Sequence, residues 1–274
     1  MPHPSLLSQT KHWLKKHHIR VSKRLGQHFL INDAILERII QCADLSENHR
    51  VLEIGSGNGV LTRALAKHVQ RVYAIEQDPH LFQILLEELS PNPKISLIQG
   101  DAVKSEWPKC DRLVANLPYS ISSPVLFRFF EAEIPTAVLM LQKEFAERLE
   151  AQPGTKQYGR LTVMTAYYAE VEVKKVVPPE AFYPPPKVAS TITRIQRRTQ
   201  PAFSVNDLRV FSEVTAVLFN QRRKKILSPI RSLVGEKRLE LLREKIPWLD
   251  QRVEDLSPEQ IAAISNAVEG ELRE

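Results

Sequence analysis

The chain has 274 residues, 43% apolar and 26% charged, with a formal net charge of +6. This balance excludes collagen-like, coiled-coil and wholly disordered chains, and no stretch approaches the ~18 consecutive apolar residues of a membrane-spanning helix. Two cysteines, Cys42 and Cys110, exclude a disulfide scaffold and fit a reducing, cytoplasmic setting. Neither stands in a metal-ligand spacing, so no metal is assigned.

The charge is unevenly placed. Residues 1–32 hold Lys11, Lys15, Lys16, Arg20, Lys23 and Arg24, five histidines and no acid; the rest of the chain balances 32 basic against 32 acidic residues. A basic arm, 1–30, on a neutral body points to phosphate contact, with a solvated tail as the competing reading for residues 1–20. No apolar core follows the positive charges, which argues against a secretory signal.

From residue 31 to about 200, strand-like and helix-like segments alternate. A helix is expected over 33–43, started by Asn32 or Asp33, then a strand at 51–54, a glycine turn and a helix over 60–68. Strands follow at 71–76, 94–101, 111–116 and 136–142, with helices at 81–89 and 124–130 between them. Near-continuous apolar strands separated by helices indicate a parallel sheet covered on both faces. Segments 171–177 and 188–195 flank a proline-rich turn, 178–187, and read as the last two strands of that sheet. Beyond Pro201 the chain reads as helical, at 207–220, 222–233, 236–245 and 258–270, forming a small all-α domain over 201–274.

Ligands of such sheets sit beyond the carboxyl ends of the strands. That rule gathers four sequence features into one neighbourhood. In E-I-G-S-G-N-G (53–59), Gly55, Gly57 and Gly59 permit a tight turn and close ligand approach. The spacing fails the dinucleotide fingerprint, because Val60 stands where its last glycine belongs, and no Gly-Lys-Ser/Thr makes a phosphate loop. It matches instead the E-x-G-x-G-x-G turn of methyltransferases that bind S-adenosyl-L-methionine. Glu76, about twenty residues on, is positioned to accept both ribose hydroxyls, and Asp101 to meet an adenine amino group.

The fourth feature is N-L-P-Y (116–119), ending the fourth strand. An adenine N6 amine is a weak nucleophile because its lone pair is spread into the ring. To attack a methyl sulfonium it must pyramidalise. The Asn116 side-chain oxygen and the Leu117 main-chain oxygen are suited to accept its two hydrogens and stabilise the developing charge. Pro118 stiffens the turn, and Tyr119 offers a ring for an extruded base.

With these motifs the chain resembles the ribosomal RNA adenine N6,N6-dimethyltransferases. The resemblance runs from about Arg24 to Leu227, through G-Q-H-F-L (26–30), N-L-P-Y-S-I-S-S-P (116–124), Q-K-E-F-A-E-R-L (142–149), P-G-T-K-Q-Y-G-R-L (153–161), F-Y-P-P-P-K-V-A-S (182–190) and F-N-Q-R-R-K-K-I (219–226). Ser56 departs from it, standing where proline is common. The resemblance implies a Rossmann-like methyltransferase sheet, and a cofactor contacted by His28, Leu30, Gln27 and Gly55 as well as by Glu76, Asp101 and Asn116. It also implies that Phe182 faces Tyr119 across the target base.

Arg222, Arg223, Lys224 and Lys225 form a basic run expected on a helix. With Lys143, Arg148, Lys156, Arg160 and Lys187 they are candidates for an RNA-backbone surface. The implied reaction is double methylation of two adjacent adenosines in the 3′-terminal hairpin of small-subunit ribosomal RNA, by a monomer acting on the immature subunit. The competing readings are a large-subunit adenine methylase of the macrolide-resistance type, a DNA-adenine or protein-glutamine methylase, and a ribosome assembly factor with little catalysis. Leu117, where the DNA and protein enzymes have proline, speaks against a DNA-adenine or protein-glutamine methylase.

Overall fold

The structure, a computed structural model, describes residues 4–22 and 25–273. His3, Lys23 and Arg24 of the basic arm lie outside them. The chain divides into two compact units: residues 1–146 with 171–197, and residues 147–170 with 198–274.

The first unit is built on a seven-stranded sheet. In chain order its elements are α1 (Leu6–Lys16), β1 (Phe29–Leu30), α2 (Asp33–Ala43), β2 (Arg50–Ile54), α3 (Val60–Ala66), β3 (Arg71–Glu76), α4 (Pro79–Leu89), β4 (Ile95–Gln99), β5 (Arg112–Asn116), α5 (Ser122–Glu131) and β6 (Thr136–Gln142). After α6 (Lys143–Leu149) and α7 (Arg160–Tyr168) come β7 (Ala169–Val177), β8 (Phe182–Tyr183) and β9 (Ser190–Arg197). The sheet order is β4-β3-β2-β5-β6-β9-β7. β2 to β6 run parallel, and β9 is antiparallel to β6, pairing Thr136 with Gln196 through to Gln142 with Ser190. The parallel strands alternate with helices, so both faces are covered. Val51, Val72, Ala74, Leu113 and Val114 are buried accordingly. The chain leaves β2 towards β3 on one side and returns to β5 on the other, which opens a crevice at the strand ends between β2 and β5.

Local chemistry sets the boundaries. Asn32, not Asp33, caps α2, its side chain accepting from the Ile35 N–H. Asp78 caps α4 ahead of Pro79, which needs no donor there.

The basic arm differs from the expectation. Residues 6–16 form α1, capped by Ser5, and bury Leu6, Thr10 and Leu14 at four-residue spacing. One helical face is therefore apolar enough to dock, and the solvated-tail reading does not describe residues 6–16. Lys11, Lys15, Lys16 and Arg20 stay on the exposed side. β1 pairs antiparallel with β8, Leu30 opposite Phe182, in a separate two-stranded sheet.

The second unit contains α7, α8 (Leu208–Asn220), α9 (Leu227–Val234), α10 (Glu236–Leu242) and α11 (Pro258–Arg273). Its boundary also departs from the expected break at 200, because residues 147–170 belong with the helices. The buried Tyr158 hydroxyl donates to the Leu256 carbonyl at 2.7 Å and holds that stretch there. The basic run is likewise not helical. Residues 221–226 form a turn, and helix resumes only at Leu227. Arg222 is drawn into the unit, bonding Glu254 at 3.0 Å and the carbonyls of Lys156 (2.8 Å) and Thr155 (3.1 Å). Lys225 pairs with Asp250, while Arg223 and Lys224 are exposed.

Candidate active site

A cleft of about 960 Å³, counting the space open to solvent, lies at the crevice of the first unit. The glycine turn after β2, Glu76 after β3, Gly100 and Ala102 after β4, and Asn116 to Tyr119 after β5 all line it. Gln27, His28 and Leu30 close it from the β1 side. Of the predicted residues, Gly55, Gly57, Leu117 and Tyr119 are therefore brought together with Glu76 and Asn116.

The turn depends on its glycines. Gly57 has φ +59°, and a Cβ there would meet the Phe29 ring at 3.4 Å; Gly59 has φ +72°, and a Cβ would lie 2.8 Å from the Arg63 guanidinium. Glu76 accepts from the Gly57 N–H and the Asp78 N–H, both at 2.9 Å. Each bond occupies a different oxygen, so each oxygen keeps accepting capacity for a ligand. Burial raises the Glu76 carboxyl above its usual range, and these two N–H donors pull it back.

The Asn116 amide nitrogen donates to the His28 carbonyl at 2.9 Å, so its side-chain oxygen takes no part in that bond; the residue lines the cleft. The His28 Nδ1 lies 2.7 Å from the Pro184 carbonyl; since a carbonyl only accepts, Nδ1 carries the proton. The His28 ring stacks beside Tyr119, centroids 5.9 Å apart and planes 27° from parallel. The Tyr119 hydroxyl hydrogen-bonds Ser190 Oγ at 2.7 Å; burial pushes its pKa above the usual phenol range, and the Ser190 bond partly offsets this. Gln27 is pinned at both ends of its amide, accepting from Ser22 N–H and donating to Asp78.

Two predicted residues stand apart from the cleft. Phe182 is 2% exposed and packs in the hydrophobic core with Leu30, Ile35 and Ile192 instead of lining the cavity. Its place on β8 explains this, because pairing with β1 aims alternate side chains inward. The Asp101 carboxylate accepts from the Val103 N–H at 2.9 Å and lies 3.9 Å from Lys104, leaving Gly100 and Ala102 to form the wall.

Among the lining residues that the sequence reading gave no role, Glu53 carries the most chemistry. Glu53 is 1% exposed, and among the described residues no hydrogen bond of good geometry reaches either of its oxygens, although the Thr62 hydroxyl is close by. Burial pushes its carboxyl up to about 8; the Thr62 hydroxyl draws it down and the Glu76 charge adds to the rise. Ser56 Oγ is also buried and unpartnered. Unsatisfied buried groups beside a cleft suit a polar ligand that supplies their partners. The cleft thus fits S-adenosyl-L-methionine: acceptors at Glu53 and Glu76, a glycine cradle without side chains, and apolar walls from Ile54, Leu61 and Ile75. Among the described residues no helix is long and apolar enough to cross a membrane, and no group of three metal-ligating side chains stands together.

Comparison with known proteins agrees with this geometry. A "Probable ribosomal RNA small subunit methyltransferase A" of Methanococcoides burtonii is 39% identical over 247 residues, covering 88% of this chain and 91% of that protein. A "Ribosomal RNA small subunit methyltransferase A" of Clostridium perfringens is 37% identical over 271 residues, 95% of each. Among solved structures, a dimethyladenosine transferase from Plasmodium falciparum superposes with a TM-score of 0.73 at 27% identity, covering 86% of this chain and 96% of that one. The 23S rRNA methyltransferase ErmE gives 0.64 at 31% identity, covering 88% and 99%. Residues 18–269 match the profile of the family described as ribosomal RNA adenine dimethylase, a span that includes the glycine turn, the Asn116 turn and all but the last residues of the helical unit. The chain is a member of the ribosomal RNA adenine dimethylases.

Proposed function

We propose that this enzyme dimethylates N6 of two adjacent adenosines in the 3′-terminal hairpin of small-subunit ribosomal RNA, acting as a monomer on the immature subunit. The observation that carries the chemistry is the Asn116–His28 hydrogen bond, which uses the amide nitrogen and leaves the amide oxygen to accept from a substrate in the cleft. When bound, S-adenosyl-L-methionine supplies the electrophilic methyl group.

The residues do the rest. The Asn116 side-chain oxygen and the Leu117 carbonyl accept the two N6 hydrogens and favour the pyramidal amine. With the cofactor bound, its sulfonium would supply the methyl group and keep the bonding pair; the two acceptors would stabilise the positive charge on N6 until one N6 proton leaves to solvent. Tyr119 and His28 give the base an aromatic face. Glu76 takes the ribose and Glu53 lies under the cofactor. Gly55 and Gly57 let the chain approach it, with Gln27 and Leu30 at the rim. Phe182 supports the base slot from behind by fixing β1, and Asp101 orders the turn beside the adenine wall. Loop bases are the accessible RNA targets for such a pocket.

The named small-subunit relatives, aligned over nearly their full length, support the small-subunit target. The likeness to ErmE keeps the large-subunit target as the reading to test against. Exposed Arg223 and Lys224 in one unit, and Lys11 and Lys15 in the other, are suited to backbone phosphates. The test is methyl transfer from labelled S-adenosyl-L-methionine to undermethylated small subunits and, separately, to large-subunit RNA, with nucleosides analysed by mass. Dimethyladenosine from small subunits alone is the expected result. Label in the large-subunit RNA alone overturns the target.

A further inference from the structure

The docked face of α1 ends on the cofactor turn. Thr10, 1% exposed, accepts from the Asn58 side-chain amide at 3.1 Å, and Asn58 is the residue between Gly57 and Gly59. The Asn58 carbonyl accepts from Arg63 at 2.9 Å. Arg63 in turn pairs with Glu88 on α4. The same Glu88 carboxylate accepts from the Trp13 indole N–H at 3.1 Å and from His17 Nε2 at 3.0 Å, both presented by the α1 segment. Trp13 also packs edge-on against Phe29, centroids 6.4 Å apart, and Phe29 is the ring that covers Gly57. So α1 grips the turn twice, through Asn58 and through Phe29. Glu88 ties both grips to the body of the unit.

Three glycines at positive φ within five residues make this turn costly to hold, because glycine loses more freedom on ordering than any other residue. A turn that must be ordered by its ligand binds that ligand more weakly than one ordered in advance. We propose that α1 is a latch that preorganises the cofactor turn, with Thr10, Trp13 and Glu88 as positioning residues for S-adenosyl-L-methionine affinity. The proposal rests on the reading that the cleft holds that cofactor.

The test uses the full chain, with S-adenosyl-L-methionine titrated by calorimetry at a temperature where every variant is folded. Thr10→Val keeps the shape of the side chain and removes the acceptor; Glu88→Gln removes the charge that gathers Trp13, His17 and Arg63. Both are expected to weaken cofactor binding about 5- to 50-fold, while the KM for RNA and the rate at saturating cofactor stay within about twofold. Thr10→Ser restores the hydroxyl and is expected to bind as the parent does. Unchanged affinity in Thr10→Val and Glu88→Gln overturns the latch. So does a Thr10→Ser as weak as Thr10→Val, or a loss explained wholly by the unfolded fraction. Glu76→Ala separates the two ideas: if it binds as the parent does, the cleft reading has failed and the latch with it.

Discussion

The side-chain amide of Asn116 donates to the main-chain carbonyl of His28, 88 residues earlier in the chain and 2.9 Å away. One bond therefore fixes the Asn116 amide, the acceptor in the proposed mechanism, and ties the β1 segment to the end of β5. Asn116→Ala removes the acceptor and the tie together. Its rate at saturating substrates is expected to fall about 100-fold or more, with far-ultraviolet circular dichroism unchanged. A rate within threefold of the parent would remove Asn116 from the chemistry.

Glu53 makes stability depend on pH in a defined sense. Its folded value, about 8, lies above the ordinary 4.5, so folding takes up a proton between those values. Stability contributed by this group is present below pH 4.5 and declines as pH rises towards 8. Glu76 is shifted in the same direction and adds to the slope. Glu53→Gln is expected to raise stability at pH 8 by about 2–5 kcal/mol and to flatten the profile, read by urea denaturation from pH 5 to 9. An unchanged profile would mean that the carboxyl finds a partner in solution.

Phe182 is held by packing, so its removal acts first on the fold. Phe182→Ala is expected to cost about 3–5 kcal/mol, measured as a drop in the urea midpoint at constant slope. If the midpoint does not move, the side chain spends its time outside the core, as a base-stacking role requires.

The basic run separates into two roles. Arg222→Ala strips donors from two carbonyls and leaves Glu254 without its Arg222 partner; about 1–3 kcal/mol of stability should be lost. The double change of Arg223 and Lys224 to Ala should leave stability unchanged. Its signature is a shallower dependence of RNA affinity on salt, by about one to two units of slope. A slope equal to the parent's would free both residues of phosphate contact.

Much of this protein could be read along one dimension. The parallel strands, their helices and the three-glycine turn follow from periodicities of two and 3.6 and from the backbone freedom of glycine, all local properties. The gathering of Gly55, Glu76 and Asn116 also follows, since strand ends in such a sheet must share one edge. What no local pattern encodes is pairing between distant segments. The inward turn of Phe182 comes from β8 pairing with β1, more than 150 positions away. The bonds of Arg222 to Glu254 and to Thr155, and the seat of Tyr158 beside Leu256, likewise depend on which helices meet. The α1 segment lies between the two cases. Its basic charge is plain in the sequence, which reads there as an arm; the helix, the face it covers and its grip on Asn58 come from packing on α3 and α4. A charge or a ring announces its chemistry in the sequence; whether it faces a ligand or the core is settled by the neighbours that folding brings to it.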